Sequence, residues 1–416
     1  MDAVRIYGGN CLKGQTGIQG SKNASLPILA ATLLINGICE IENCPDISDV
    51  YHMQRLLESL GCKVEREGTL VRVDTRCLRE CDMPADSVGV MRSSIMLLGA
   101  LLARTGRVCM EYPGGCVIGA RPIDLHLQSL RRMGVVIEQR EKGFSAEAAR
   151  LTGAVLNLPF VSVGVTENLL LAAVLAKGVT VIKPAAREPE IQALCDFLRM
   201  AGARIEGKGS GCLVVHGVER LVPVRYHIPA DRIVAGTYMC ACMCTGGSVF
   251  LKDAPAGDMK RVLDHACRLG AMVECAPDGV LVKGRACESM PCVLRTGCYP
   301  DFPTDMQSPF MVVMTVCGKT GRIEENVFEN RFRIVPELEK MGAEISIAGN
   351  TAYVNGSRRL HGAVVQAQEL RGGAALVVAA LAAQGTSIVT NRHYIDRGYE
   401  DIVLHLRELG ADIELA

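Results

Sequence analysis

The sequence predicts an α/β protein of two domains, each assembled from three copies of one α/β unit. The first observation behind this is a short ending that recurs six times. It reads Leu60-Gly61-Cys62-Lys63-Val64-Glu65 at its first occurrence and Leu409-Gly410-Ala411-Asp412-Ile413-Glu414 at its last, with Gly134, Gly202, Gly270 and Gly342 marking the others. The glycines stand 68 to 73 residues apart, the signature of a repeat architecture. The second is length: 416 residues exceed one compact core, and two domains of about 200 are expected. The third is a shared order of patterns within each interval.

That order is clearest in the sixth copy. A charged residue near a helix start, Arg371, leads through Gly372-Gly373 into a small-residue helix beginning Ala374-Ala375-Leu376-Val377. A Gly turn follows, then the alternating strand Thr386-Ser387-Ile388-Val389-Thr390. A loop precedes a second, amphipathic helix with Ile402, Leu404, Leu406 and Leu409 as its apolar positions. The repeated glycine is expected to end that helix in a left-handed cap, and a short Ile- or Val-bearing strand closes the unit. Copies one to three give a first domain over 22–229. Copies four to six, with residues 1–21, give a second over 1–21 and 230–416. Ile228-Pro229-Ala230 marks the break, just before a helix start at Asp231. Residues 3 to 20 read as one opening strand. Two such domains facing each other would leave a cleft, a favoured place for small ligands.

Basic and acidic residues balance at 45 each, which argues against a nucleic-acid or polybasic membrane partner. Met1-Asp2-Ala3-Val4-Arg5 lacks the basic start and apolar run of a signal peptide. The purest apolar stretch, Ala374 to Ala383, is too short to span a membrane. Nineteen cysteines in such a chain point to a reducing cytoplasm. Cys240 and Cys244 align with Val378 and Ala382 of the sixth copy and read as small core residues, so no metal and no cofactor is expected. No exposed heptad or apolar arm is present, and a monomer is expected.

Aligning the copies turns scattered charges into a pattern. At the start of each first helix stand Lys22-Asn23, Arg92, Thr166, Arg232, Asp305 and Arg371. Helix N-termini attract anions and disfavour basic side chains, so four basic residues there suggest a functional demand. In the loop before the second helix, four copies hold Arg121, Arg187, Arg331 and Arg397. Guanidinium groups bind carboxylate and phosphate in a bidentate fork. The pattern points to a small, multiply anionic substrate. Gly114-Gly115-Cys116-Val117-Ile118-Gly119-Ala120-Arg121 adds a thiol in a glycine-rich loop beside an arginine, and Cys116, largely protonated at neutral pH, is a candidate acid.

These segments resemble the UDP-N-acetylglucosamine 1-carboxyvinyltransferases, a family of enolpyruvyl transferases. The motifs are Gly20-Ser21-Lys22-Asn23-Ala24, Pro113 to Pro122, Ser162 to Asn168, Ala185 to Glu190, Phe302 to Gln307, Phe328-Glu329-Asn330-Arg331-Phe332 and Tyr394 to Glu400. The resemblance implies two inverse α/β barrels, each with three units about a pseudo-threefold axis and the active site in the cleft between them. It implies transfer of the enolpyruvyl group of phosphoenolpyruvate to the 3′-hydroxyl of UDP-N-acetylglucosamine with release of phosphate, the first committed step of peptidoglycan precursor synthesis. Lys22, Arg121, Arg331, Arg371 and Arg397 would hold phosphoenolpyruvate, with Lys22 and Arg397 also catalytic, and Glu369 would join the substrate-binding set. Asn23 would touch the sugar nucleotide. Arg92, Arg121, Pro122, Ile123, Asp124, Leu125, Ser162, Val163, Gly164 and Val327 would line its site. Cys116 would form a covalent adduct and be alkylated by fosfomycin; Asp305 would be the base or an orienting group. Two positions depart from the family: Glu369 replaces the usual Asp, and Val165 the usual Ala. The related 5-enolpyruvylshikimate-3-phosphate synthases share the fold and phosphoenolpyruvate chemistry. Their pattern lacks the glycine-flanked cysteine and the Arg-Pro-Ile-Asp run.

Overall fold

The computed structural model describes residues 2–79, 83, 92–114, 119, 122–284, 292–317, 320–356 and 359–416. Contacts divide them into two compact units, one built from residues 20–114 and 122–229, the other from residues 2–19, 119 and 230–416. Each unit has its own hydrophobic core.

In the unit of residues 20–229, the Lys22–Ala31, Met96–Thr105 and Val163–Ala173 helices lie in the core. They are apolar almost all round, the pattern of a helix surrounded by protein. The Met96–Thr105 helix packs on both of the others. Its approach to Val163–Ala173 requires Gly99: a Cβ there would lie 2.2 Å from the Asn168 carbonyl oxygen. Three small sheets cover these helices. In one, Val155–Asn157 runs parallel to Val179–Lys183, which pairs antiparallel with Leu213–His216, itself antiparallel to Arg204–Glu206. The same order recurs where Arg225–His227 joins Ile38–Glu42, Leu70–Asp74 and Lys63–Glu67. The third, of Arg107–Glu111, Gly143–Glu147 and Val136–Gln139, has three strands among the described residues.

The other unit repeats the arrangement around the mutually packed Arg232–Thr245, Gln307–Val316 and Leu370–Ala382 helices. Cys240 and Cys244 lie buried in the first of these, where burial pushes both thiols well above their ordinary range. Residues 3 to 20, read as one strand, form two. Ala3–Tyr7 inserts between Thr386–Thr390 and Asp412–Leu415, whereas Lys13–Gly17 runs parallel to Ser248–Lys252 in a different sheet. Gly8-Gly9 breaks the run, its two N–H groups donating to the carbonyls of Gly385 and Leu381.

All six repeated glycines have positive φ, between +89° and +102°, and each ends an outer helix as expected. The last outer helix, Ile402–Glu408, differs in phase from the sequence reading. Ile402, Val403 and Leu406 are buried, while Leu404 is 46% exposed. Two residues of helix turn about 200°, so Leu404 cannot share a face with Ile402. No helix among the described residues is long and apolar enough to cross a membrane.

Candidate functional site

In the unit of residues 20–229, Ser21 caps the Lys22–Ala31 helix, its Oγ accepting from the Ala24 N–H at 3.3 Å. Lys22 is the first helical residue and Asn23 is half-buried beside it. The Lys22 ammonium lies 2.7 Å from Asp49 Oδ2, in the first turn of the Ser48–Ser59 helix. Both side chains are buried, and Asp49 was not marked by any sequence motif.

Arg92, Tyr112, Pro113, Pro122, Ile123, Asp124 and Gln139 line a cavity of about 360 Å³. Asp124 opens the Asp124–Arg132 helix, with Leu125 half-buried next to it. Ser162 caps the Val163–Ala173 helix through the Val165 N–H, so the backbone of Val163 and Gly164 forms that helix's exposed N-terminal turn. His126 packs against this turn, with Cε1 and Nε2 3.7 and 3.8 Å from where a Gly164 Cβ would stand. Its Nδ1 lies 3.0 Å from Asn168 Nδ2. Asn168 Oδ1 accepts from Gly99 N–H at 2.6 Å and Nδ2 also donates to the Ile95 carbonyl, which fixes the amide orientation. His126 Nδ1 therefore accepts, and the neutral ring carries its proton on Nε2. Burial, reinforced by Arg92, pulls the His126 pKa down to about 4.

Cys116 and Arg121 lie outside the described residues. Two aligned positions serve the scaffold: Thr166 Oγ1 bridges the Ser162 carbonyl and the Ala186 N–H, and exposed Arg187 donates to the Gly209 carbonyl.

In the other unit, Asp305 sits in the Thr304–Met306 turn that leads into the Gln307–Val316 helix. Arg331 Nη2 lies 2.6 Å from Asp305 Oδ1, and Arg371 Nε lies 3.3 Å from Oδ2. Both arginines are 3% exposed, whereas the Asp305 side chain keeps a quarter of its surface. Burial opposes the charge on Arg371, but Asp305, Tyr399 and Asp231 hold its pKa above the usual arginine value. Arg371 also donates to Tyr399 Oη, which shares a hydrogen bond with Thr237.

Glu369 caps the Leu370–Ala382 helix, accepting from the backbone N–H of Arg371 and Gly372, and lies 3.6 Å from Arg331 Nη1. The longer side chain at this position thus serves the helix and the arginine together. Arg232 follows its cap Asp231 and stacks over Tyr299. Arg397 is half-buried in the turn after Arg392–Tyr394. Gln19 holds that turn, donating to the Gly398 carbonyl and accepting from Glu400 N–H. Val327 is half-buried in a turn fixed by Glu325. Asp49, His126, Gln19 and Glu325 were missed by sequence reasoning, and Asn168 was marked only as the end of the Ser162 to Asn168 motif, since each acts through contacts that no local pattern encodes.

The helix starts correct one inference. Acidic or neutral caps (Ser21, Ser162, Asp231, Glu369) are present, one or two residues ahead of Lys22, Arg232 and Arg371. Counting back from the glycines could not separate cap from first turn. These basic residues therefore follow caps that already serve the helix N-termini, and the buried arginine pair around Asp305 is the stronger sign of an anionic substrate.

A sequence model of the EPSP synthase (3-phosphoshikimate 1-carboxyvinyltransferase) family matches residues 6–406. The chain is 41% identical over 413 residues to UDP-N-acetylglucosamine 1-carboxyvinyltransferase 2 of Caldanaerobacter subterraneus subsp. tengcongensis, covering 99% of each chain. It is 44% identical to UDP-N-acetylglucosamine 1-carboxyvinyltransferase of Desulfosudis oleivorans, again over 99% of each. Among solved structures it is similar to the enolpyruvyl transferase NikO from Streptomyces tendae, with a TM-score of 0.91 and 26% identity over 99% of this chain and 98% of that one. EPSP synthase from Acinetobacter baumannii, at 17% identity and a TM-score of 0.77 over the whole of both chains, shares the fold.

Proposed function

The chain belongs to the UDP-N-acetylglucosamine 1-carboxyvinyltransferases of the EPSP synthase family, and we propose that it transfers the enolpyruvyl group of phosphoenolpyruvate to the 3′-hydroxyl of UDP-N-acetylglucosamine, releasing phosphate. Full-length identity of 41–44% to relatives of that name is the observation that carries this reading. The finer architecture goes with it: two inverse α/β barrels of three units each, with the site in the cleft between them. So do a cytoplasmic location and a monomeric state.

In this reading Lys22, Arg121, Arg331, Arg371 and Arg397 hold the phosphate and carboxylate of phosphoenolpyruvate. Asn23, Arg92, Pro122 to Leu125, Ser162 to Gly164 and Val327 line the sugar-nucleotide site. The Ser162–Gly164 turn offers backbone N–H groups suited to a diphosphate, and His126 Nε2–H lies beside it. Cys116 delivers a proton to the methylene carbon while the sugar oxygen bonds to C2 and passes its own proton to Asp305. Phosphate then leaves C2 as the methyl group returns a proton, restoring the double bond. The arginine on each Asp305 oxygen supports an orienting role beside that of proton acceptor. The arginines offset charge developing on the substrate, an electrostatic contribution.

The test is phosphate release with both substrates supplied together and singly. Turnover that requires both supports the reading, and none defeats it. Cys116→Ser should bind the UDP-sugar but lose at least about 100-fold in turnover at neutral pH, the scale of general acid catalysis.

A further inference from the structure

Glu325 is 4% exposed and follows the Gly321–Glu324 strand. Its Oε1 accepts from the backbone N–H of Val327 at 2.8 Å and of Phe328 at 3.1 Å. Its Oε2 accepts from Thr304 Oγ1 at 2.9 Å. One carboxylate thus joins two turns more than twenty residues apart, one bearing Val327 and the other bearing Asp305. The chain of contacts continues from there. The Thr304 carbonyl accepts from Arg331 Nε at 3.3 Å, and the same guanidinium holds Asp305. Glu325 is itself fixed, its N–H donating to the Asn350 carbonyl, while neighbouring Asn326 is pinned by two hydrogen bonds to Thr296.

We propose that Glu325 is a positioning residue for enolpyruvyl transfer, setting the Val327 turn and the Thr304–Asp305 turn in one register; the inference rests on the function proposed above. Capping of the 326–328 turn alone would use only Oε1. The contact of Oε2 with Thr304 has no part in that local task. A buried carboxylate held by three neutral donors fixes geometry, because each donor must come to it. A shift of about 1 Å in a reacting group can cost about 100-fold in rate, so a register clamp has kinetic consequences.

The experiment is steady-state phosphate release by the full-length enzyme with each substrate varied, alongside thermal melting. Thr304→Val should lower kcat by about tenfold and change KM for UDP-N-acetylglucosamine less than about twofold, because Glu325 still holds the Val327 turn. Glu325→Gln should stay within about threefold of wild type, since its oxygen keeps both backbone N–H groups and its amide can donate to Thr304 Oγ1. Glu325→Ala should lower kcat and raise that KM together. Adding Thr304→Val to it should then change kcat no further. Wild-type kinetics in Thr304→Val, or additive losses in the double variant, would overturn the proposal, even with a lowered melting temperature. Should Glu325→Ala not fold, Thr304→Val and Glu325→Gln decide alone. A wild-type enzyme that releases no phosphate would instead defeat the functional reading.

Discussion

His126 is chemically defined by one neighbour. Asn168 spends its oxygen on Gly99 and its two N–H groups on Ile95 and His126, which leaves the ring neutral with a donor at Nε2. The cost of protonating such a ring makes it a stability determinant. The folded pKa, about 4, lies below the ordinary histidine value, so the unfolded chain takes up the proton first. The associated stability is complete above about pH 6.5 and is lost as pH falls toward 4, amounting to about 3 kcal/mol. Urea unfolding between pH 7 and 4 should show a loss smaller by about that amount in His126→Gln than in wild type; parallel curves would show that the ring titrates normally. None of this was legible in the sequence, because Asn168 and His126 stand 42 residues apart with no motif linking them. Asp305, Arg331 and Arg371 were reachable, since their places in the repeat single them out before any contact is known. Tyr399 stands in the Tyr394 to Glu400 motif, but nothing there announces its bond to Arg371; Glu325, which reaches this cluster only through Thr304, stands in no motif.

At the level of elements, the repeat grammar was read well where backbone geometry enforces it. The glycines needed positive φ to end each outer helix, and that requirement shows as an almost invariant spacing. Helix phase was less secure, because a seven-residue helix offers few positions from which to find its buried face. Leu406→Ala should cost about 3 kcal/mol, and Leu404→Ala less than about 0.5 kcal/mol, in denaturant titrations. Equal losses would restore the original phase. Helix starts were blurred for a similar reason: caps and first-turn residues are adjacent, and one register count cannot assign both.

On the scale of the whole molecule, the strand pairings of the first nineteen residues have a mechanical consequence. Ala3–Tyr7 is an interior strand of one sheet and Lys13–Gly17 an edge strand of another, both with partners beyond residue 230. Removing residues 1–19 should therefore raise amide exchange at 248–252, 386–390 and 412–415 while leaving 38–42 and 179–183 as protected as before. Uniform loss of protection would contradict that assignment. Sequence alone indicated a repeat of α/β units, but a single hydrophobic alternation cannot tell which sheet will accept a strand. The order of strands was accordingly beyond reach.

The functional account turns on Cys116, the proposed acid and the site of its covalent chemistry. Mass spectrometry of the intact protein after fosfomycin treatment, with and without UDP-N-acetylglucosamine and followed by peptide mapping, addresses it directly. The account predicts a single adduct on Cys116 that forms faster when the UDP-sugar is present. No adduct, or labelling scattered over the other eighteen cysteines, would contradict it.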